Sequence, residues 1–153
     1  MSTTTTPSRR TGVPAGIDPR GPQVAAAITA VVLVAVLLLA PGPAGIALLA
    51  AQAAVFAVGA VRGVQHTPYS WVFRTLVRPR LSPPAELEDP APPRFAQAVG
   101  LAFALIGLAG FLAGADLVGL VATGFALVAA LLNAVFRFCL GCEMYLLIRR
   151  FGG

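Results

Sequence analysis

The sequence contains no lysine, a single histidine and few charged side chains of either sign. Only 11% of the 153 residues are charged, against roughly a quarter in soluble domains. Because 58% of the residues are hydrophobic, so few charges could not cover the apolar surface in water. The composition therefore excludes an ordinary soluble domain and favours a membrane protein.

The same scarcity excludes several kinds of chemistry. Two cysteines are too few for a disulfide-rich scaffold, and His66 is the one histidine that could join them as a metal ligand. A zinc site usually needs about four ligands, so we expect no metal and no cofactor in a single chain. The sequence also has no glycine-rich phosphate loop and no Ser/His/Asp set, so nucleotide and hydrolytic chemistry have no candidates.

Four apolar stretches are each long enough for a membrane-spanning helix, which needs about 20 residues. Two tight turns, at 41–43 and 114–116, join the first stretch to the second and the third to the fourth. Short turns join antiparallel helices, so the sequence predicts an all-α bundle of four transmembrane helices. The predicted spans are 24–40, 44–61, 95–113 and 117–148, within a single domain at 17–153 that follows a disordered tail at 1–16.

The arginines are confined to the connections on one side of these spans, and neither tight turn contains one. Because Arg-rich loops stay in the cytoplasm, we expect both termini and the loop 62–94 on the cytoplasmic side of the inner (plasma) membrane. The expected partners of these side chains are anionic lipid headgroups, and nucleic acid is not expected. The arginines are Arg9, Arg10, Arg20, Arg62, Arg74, Arg78, Arg80, Arg94, Arg137, Arg149 and Arg150.

The loop 62–94 has two halves of different composition. Residues 68–78 mix Trp71, Leu76 and Val77 with arginines, which favours a short helix lying at the level of the lipid headgroups. Residues 82–93 are rich in proline and acidic side chains. Because proline interrupts helices, this half is predicted to form an extended strap across the inner mouth of the bundle.

Small residues are frequent in the third span, where Gly107, Gly110 and Gly114 recur at helical spacing. Small side chains let helices approach closely in a membrane, where packing rather than water drives association. This face is therefore a candidate for a homodimer contact, although such spacing also arises from composition alone.

The residues with the clearest chemical potential are Cys139 and Cys142, which stand three apart in a C-x-x-C motif. On a continuous helix they share one face with Glu143, and Arg137 lies close by. Such a pair could exchange disulfides, carry a persulfide or supply half of a metal site completed by a second copy, and each role needs a thiolate. The simpler alternative is that both cysteines only pack as small apolar side chains.

The fourth apolar stretch is too long for one membrane crossing, because about 20 residues are used by Phe136 and the chain stays apolar to Ile148. The last helix must therefore protrude from the membrane or bend at its surface. We hypothesise a kink near Gly141 that starts a new interfacial helix. Cys139 would then lie at the N-terminal end of that helix, where backbone N–H groups stabilise a thiolate.

Several segments of the chain resemble an uncharacterised bacterial family of small integral membrane proteins, common in actinobacteria and known as domain of unknown function 4395. The most specific is Phe138-Cys139-Leu140-Gly141-Cys142-Glu143-Met144-Tyr145. Members often lie near genes for thioredoxin-like proteins or thiosulfate sulfurtransferases, which implies thiol or sulfane-sulfur handling at Cys139 and Cys142. The other matching segments are 17–20, 68–71, 78–81, 86–89 and 92–97.

The sequence therefore leads to one principal hypothesis and two alternatives. In the first, Cys139 is the attacking or persulfide-bearing thiol and Cys142 the resolving thiol, while Arg137 favours the thiolate and Glu143 moves protons or positions Arg137. The partner would be a thioredoxin-like or rhodanese-like protein that docks on the basic loop. The alternatives are a transporter for a small sulfur anion, with Arg137 at its inner mouth, and a structural membrane subunit whose cysteines only pack.

Overall fold

A computed structural model of the chain describes residues 16–152. The predicted tail at 1–16 lies outside the described residues except for Gly16. Within the described part there are six α-helices, of which four are long and apolar enough to cross a membrane. The helices are α1 (Arg20–Leu39), α2 (Pro43–Arg62), α3 (Pro68–Val72), α4 (Ala91–Leu112), α5 (Asp116–Phe136) and α6 (Leu140–Gly152).

The four long helices, α1, α2, α4 and α5, form an antiparallel bundle, which confirms the predicted all-α membrane fold. Helix α1 packs against α2 and α5, and α4 packs against the same two helices, so that the four form a closed ring. The central contacts are made by fully buried apolar side chains, led by Leu33 and Val36 of α1 and Leu49 of α2. Apolar side chains also cover the outer surface, including Val31, Leu112 and Phe125, as a lipid environment requires.

The start of α4 differs from the sequence prediction, because the helix begins at Ala91 rather than near Phe95. Pro92 and Pro93 occupy its first turn. Proline is tolerated there, since the first N–H groups of a helix have no partner within it. The proline-rich strap is therefore shorter than the composition indicated.

Small residues bring α4 and α5 into close contact within one chain. A Cβ added at Gly110 would lie 2.6 Å from the backbone nitrogen of Gly119. One added at Gly107 would lie 3.2 Å from the side chains of Leu49 and Thr123. Gly107 and Gly110, on the face that we considered for a homodimer, are thus buried against other helices of the same chain. The described residues therefore give no support for a dimer contact at these two glycines.

The arginines that the structure describes lie at one end of the bundle, where α1 and α4 begin and α2 and α5 end. Arg94, in the first turn of α4, donates hydrogen bonds to the carbonyl oxygens of Ala60 and Val61, at 2.6 and 2.7 Å. These carbonyls lie in the last turn of α2, where no N–H group of the helix is available to bond to them. Arg94 therefore ties the end of α2 to the start of α4.

The loop between α2 and α4 contains the predicted short helix. Thr67 caps α3 by accepting a hydrogen bond from the Ser70 N–H, and the chain continues through a π-helical turn at Phe73–Val77. The Tyr69 hydroxyl donates to the Gln52 side chain of α2 at 2.6 Å. Burial raises the pKa of the Tyr69 hydroxyl. The loop is thereby fixed to the bundle.

The fourth apolar stretch, predicted as one helix over 117–148, is divided in two. Helix α5 ends at Phe136, and Arg137 adopts a left-handed conformation with φ of 55°. The N–H of Phe138 turns back to the carbonyl oxygen of Leu132 at 3.2 Å, which satisfies one of the last carbonyls of α5. The chain then starts α6 at Leu140 in a new direction. The last apolar stretch thus bends rather than continuing as one straight helix.

The contact between α4 and α5 predicts that Gly110→Ala destabilises the bundle. The added methyl group would overlap the Gly119 backbone, and overpacking of this kind costs about 1–3 kcal/mol. We expect a correspondingly lower free energy of unfolding in detergent, measured by circular dichroism. Gly124→Ala is the matched control, because a Cβ at Gly124 would meet nothing within 4 Å. Equal stability of the two variants would contradict the described contact.

Candidate functional site

Cys139 is the residue that immediately precedes α6, and it serves as the N-terminal cap of that helix. Its carbonyl oxygen accepts the first helical hydrogen bond, from the Glu143 N–H at 3.0 Å. Its sulfur accepts a hydrogen bond from the Cys142 N–H at 3.2 Å. A side chain that accepts from the N–H three residues later is the usual geometry of a helix cap. The sulfur of Cys139 therefore occupies the position that a serine or aspartate oxygen usually takes.

The sulfurs of Cys139 and Cys142 are joined in a disulfide, with their Cα atoms 5.2 Å apart. Both residues are half-buried. The prediction that they share a face of one continuous helix does not describe this arrangement, because Cys139 stands before α6 and Cys142 in its first turn. A pair held in this way can be opened to two thiols and closed again without a large movement of either backbone.

The bend that creates this geometry lies at Arg137–Cys139 rather than at Gly141, where we had placed it. Gly141 is buried within α6 and packs on α4. A Cβ at this position would lie 2.6 Å from both the Cα and the Cβ of Ala96. The glycine in the motif therefore permits close helix contact, and Arg137 provides the change of direction.

Aromatic contacts add to the packing of α6 on α4. The rings of Phe95 and Tyr145 lie 5.7 Å apart between centroids. The guanidinium of Arg149 lies 5.9 Å from the centre of the Tyr145 ring, within reach of a cation–π interaction. Together with Gly141 and Ala96, these side chains hold the first turn of α6, and so the cysteine pair, against the bundle.

Arg137 and Glu143, the other two predicted site residues, lie close to the cysteines in the chain and are exposed. They do not form an ion pair with each other, since the one salt bridge found within residues 16–152 joins Arg20 to Asp18. Both nevertheless line the same cavity as Cys139 and Cys142. The recorded bonds to the Cys139 sulfur are the hydrogen bond from the Cys142 N–H and the disulfide to the Cys142 sulfur. Among the described residues, no three His, Cys, Asp or Glu side chains are grouped for a metal ion.

A cavity of about 760 Å³ begins at the cysteine pair and continues between α1, α4 and α5. Its polar lining residues include Arg137, Glu143, Gln97 and Asn133, all from the cysteine end of the bundle. Its inner part is apolar and aromatic, with Phe56, Phe103 and Phe125 among the lining residues.

Residues from the strap and from the start of α1 form part of the cavity mouth. Ile17 and Glu88 exchange two backbone hydrogen bonds of 2.9 Å, which join the two segments. Arg20 donates to the Asp18 carboxylate at 2.8 Å and to the Ser82 carbonyl at 2.9 Å. The hydrogen bond from Arg20 holds the pKa of Asp18 below its usual value. Glu88 and Asp89 of the predicted strap line the cavity, in agreement with a strap at the mouth of the bundle.

The cavity is the part of the site that the sequence analysis missed. Gln97 and Asn133 are polar residues within apolar helices, and neither belongs to the cysteine motif. A signal for the cavity does exist in α5, where its lining residues recur on one face as Phe125, Ala126, Ala129, Ala130 and Asn133. The same periodicity is expected for any packed helix face, so it could not be distinguished from ordinary bundle packing.

By fold, this is a multi-pass membrane protein of four transmembrane helices, with a paired-cysteine motif at the start of an added helix at the arginine-rich end of the bundle. The chain belongs to the family described as Domain of unknown function (DUF4395), which matches residues 17–150. The match covers every span, the loop and the motif, and it confirms the resemblance drawn from the sequence. Neither a curated protein nor a solved structure matches the chain.

The close contact of Gly141 with Ala96 predicts that Gly141→Ala weakens the packing of α6 on α4. The added methyl group would collide with the backbone of Ala96, so local opening of α6 should become easier. We expect amide hydrogen exchange in α6 to accelerate by about tenfold, which corresponds to roughly 1.4 kcal/mol of local stability. Gly152→Ala, where a Cβ meets nothing within 4 Å, is the control in the same helix. Unchanged exchange in Gly141→Ala, measured by mass spectrometry, would refute this contact.

Proposed function

We propose that this protein is a thiol–disulfide exchange protein of the plasma membrane that presents the Cys139–Cys142 pair to the cytosol. Its partner is a soluble thioredoxin-like or rhodanese-like protein. The observation that carries the proposal is the geometry of Cys139, whose sulfur accepts the Cys142 N–H at the start of α6 while lying in a disulfide with Cys142. A cysteine that only filled space would need neither contact.

The orientation follows from the arginines at the cysteine end of the bundle. Arg62, Arg74, Arg78 and Arg80 are exposed there, and Arg137 lies two residues before Cys139. Because Arg-rich connections remain on the cytoplasmic side during insertion, this end should face the cytosol. Both chain ends would then also lie in the cytosol, since α1 begins and α5 ends at this face.

The exchange step uses the two sulfurs in different roles. A thiolate of the partner attacks the Cys139 sulfur, the bond between Cys139 and Cys142 breaks, and Cys142 leaves as a thiolate. The second thiolate of the partner then attacks the mixed disulfide and releases Cys139. The partner loses two electrons and its two thiol protons, and Cys139 and Cys142 gain both. The N–H groups at the start of α6 stabilise Cys139 as the second leaving thiolate.

Arg137 and Glu143 are positioned to support this step from the cavity wall. The positive charge of Arg137 favours a thiolate at the pair. Glu143 is exposed and can take up or release the thiol protons. The exposed arginines of the loop, Arg74, Arg78 and Arg80, offer a basic surface for a partner with acidic side chains around its reactive sulfur.

The same two sulfurs could also accept sulfane sulfur from a donor persulfide. Cys139 thiolate would take the outer sulfur from a donor persulfide and release the donor as a thiolate. Cys142 would then attack the inner sulfur of the Cys139 persulfide, which forms the disulfide and releases hydrosulfide. In this variant Cys139 is the nucleophile and Cys142 is the resolving thiol.

The two alternative functions have weaker support. A conduit for a small anion would need a path to the opposite end of the bundle, whereas along α4 and α5 the cavity lining reaches no deeper than Phe103 and Phe125, near the middle of these helices. A purely structural subunit would leave the capping of α6 by a cysteine sulfur without a purpose. Sulfur-anion uptake in proteoliposomes that is lost in Arg137→Ala would favour the first alternative, and normal function of a Cys139→Ser, Cys142→Ser double variant would favour the second.

The division of roles predicts that Cys142→Ser accumulates a mixed disulfide. Exchange is reversible, so the Cys139 thiolate of Cys142→Ser attacks the disulfide of an oxidised partner, and no Cys142 thiol is present to resolve the mixed disulfide that results. Cys139→Ser lacks this nucleophile. We expect a covalent adduct in Cys142→Ser membranes that is several-fold more abundant than in Cys139→Ser and is released by dithiothreitol. Non-reducing electrophoresis and mass spectrometry after acid quenching measure it.

The matched serine variants make this experiment decisive, because both alter one atom of the same motif. An adduct of equal abundance in both variants would contradict the assigned roles. The absence of any adduct, together with full in vivo function of the double serine variant, would rule out thiol exchange altogether.

A further inference from the structure

The cavity beside the cysteine pair is larger than exchange with a soluble partner requires. A partner thiolate needs access to one sulfur from the aqueous side, and the half-buried Cys139 provides that. The cavity extends instead from the pair toward the interior of the bundle, with a volume of about 760 Å³. Small-molecule and cofactor sites in known proteins have volumes of roughly 300–1,000 Å³.

The cavity reaches deep into the apolar part of the membrane domain. Along α5 its wall runs from Arg137 to Phe125, which is about 18 Å at 1.5 Å per residue. The hydrocarbon core of a bilayer is about 30 Å thick, so the inner end of the cavity lies near the middle of that core. Its occupant must therefore be an elongated and largely apolar molecule.

The inner end of the cavity also meets the outer surface of the bundle. Phe125 lines the cavity and is 61% exposed on the membrane-facing side of α5. Its ring lies 6.1 Å from that of Phe103 on α4. An apolar molecule dissolved in the bilayer could therefore enter between α4 and α5 at these two rings.

The end of the cavity nearest the sulfurs contains polar groups suited to a carbonyl compound. Gln97, whose side chain packs beside Gly59 of α2, and Asn133 are among the lining residues at this end. Within residues 16–152, neither amide is engaged in a side-chain hydrogen bond, whereas Gln23 uses its amide on the Ala134 carbonyl at 2.9 Å. An amide N–H of Gln97 or Asn133 can thus donate to a ligand oxygen.

We infer that this cavity binds a lipid-soluble quinone, which reoxidises the reduced cysteine pair. The inference rests on the proposed function, because the exchange step leaves Cys139 and Cys142 as thiols that must pass two electrons to an acceptor. A quinone has the apolar tail that the inner cavity fits and the two carbonyl oxygens that the amide end can bind. It is also an acceptor of two electrons and two protons.

Oxidation of the two thiols by a quinone needs no further reactant. Cys139 and Cys142 each lose one electron and one proton, and a bond forms between their sulfurs. The quinone takes both electrons and both protons, and its two carbonyl groups become the two hydroxyl groups of a quinol. Glu143, at the polar end of the cavity, can relay a proton between the thiols and a quinone oxygen. Electrons then flow from the soluble partner through the cysteine pair into the membrane.

A single-turnover assay with decylubiquinone tests the inference. Purified full-length protein in detergent is reduced, freed of reductant and mixed anaerobically with the quinone, while quinol formation is followed by absorbance. We expect one quinone to be reduced for each Cys139–Cys142 pair, and no reduction by the Cys139→Ser, Cys142→Ser variant. Absence of quinone reduction by the reduced wild-type protein would overturn the inference.

Two matched variants of α5 show whether the cavity is the site of reduction. Ala129→Leu narrows the cavity, whereas Ala134→Leu adds the same side chain at a half-exposed position of the same helix outside the lining. We expect Ala129→Leu to slow quinone reduction by about tenfold and Ala134→Leu by less than about twofold. Equal rates in the two variants would contradict binding in the cavity.

A binding measurement separates this inference from the proposed function. An azido-quinone should photolabel peptides containing Phe103 or Phe125 even in the Cys139→Ser, Cys142→Ser variant, because binding does not need the sulfurs. Labelling confined to other surfaces would overturn the cavity assignment. If the mixed disulfide of Cys142→Ser forms while quinone labelling and reduction both fail, the quinone inference fails and the exchange function stands. If labelling succeeds and no mixed disulfide forms, the failure lies in the exchange function on which the redox step depends.

Discussion

The arrangement of the site depends on the interruption of the fourth apolar stretch between Phe136 and Leu140. In an unbroken helix, the N–H groups near Cys139 would be bonded to carbonyls of the preceding turn. Because the chain turns through a left-handed Arg137, α6 begins with N–H groups that lack helical partners. The Cys139 sulfur accepts one of them. This backbone feature converts two cysteines at helical spacing into a capped, disulfide-linked pair.

The second constraint is the close packing of α6 on α4, which decides what the pair can reach. Gly141 against Ala96 leaves no space for a side chain between the two helices. The cysteines are therefore held over the gap between α1, α4 and α5, with solvent on one side and the cavity on the other. Under the proposed function, this position lets the pair react with a soluble protein on one side and with a molecule in the membrane on the other. The proposed function uses the first route and the quinone inference the second.

The sequence predicted the fold well, because the membrane imposes a simple requirement on each span. About 20 apolar residues and short proline or glycine turns were sufficient to place four helices, and the family match agrees. The bend was expected from the excess length of the last stretch, but its position was not. Gly141 was the evident candidate, whereas the bend lies at Arg137, where a left-handed conformation is uncommon for a residue other than glycine. The cavity could not be predicted, because it depends on how the small residues of α4 and α5 face α1 and α6.

The sidedness and reactivity of the cysteine pair test this account most directly. Sealed membrane vesicles of both orientations can be treated with a membrane-impermeant maleimide, before and after reduction. We expect labelling of Cys139 and Cys142 only in inside-out vesicles, where the cytosolic face is exposed, and only after reduction. Labelling confined to right-side-out vesicles would place the pair on the opposite face and contradict the proposed partners. Failure to label from either face after reduction would contradict a reactive site.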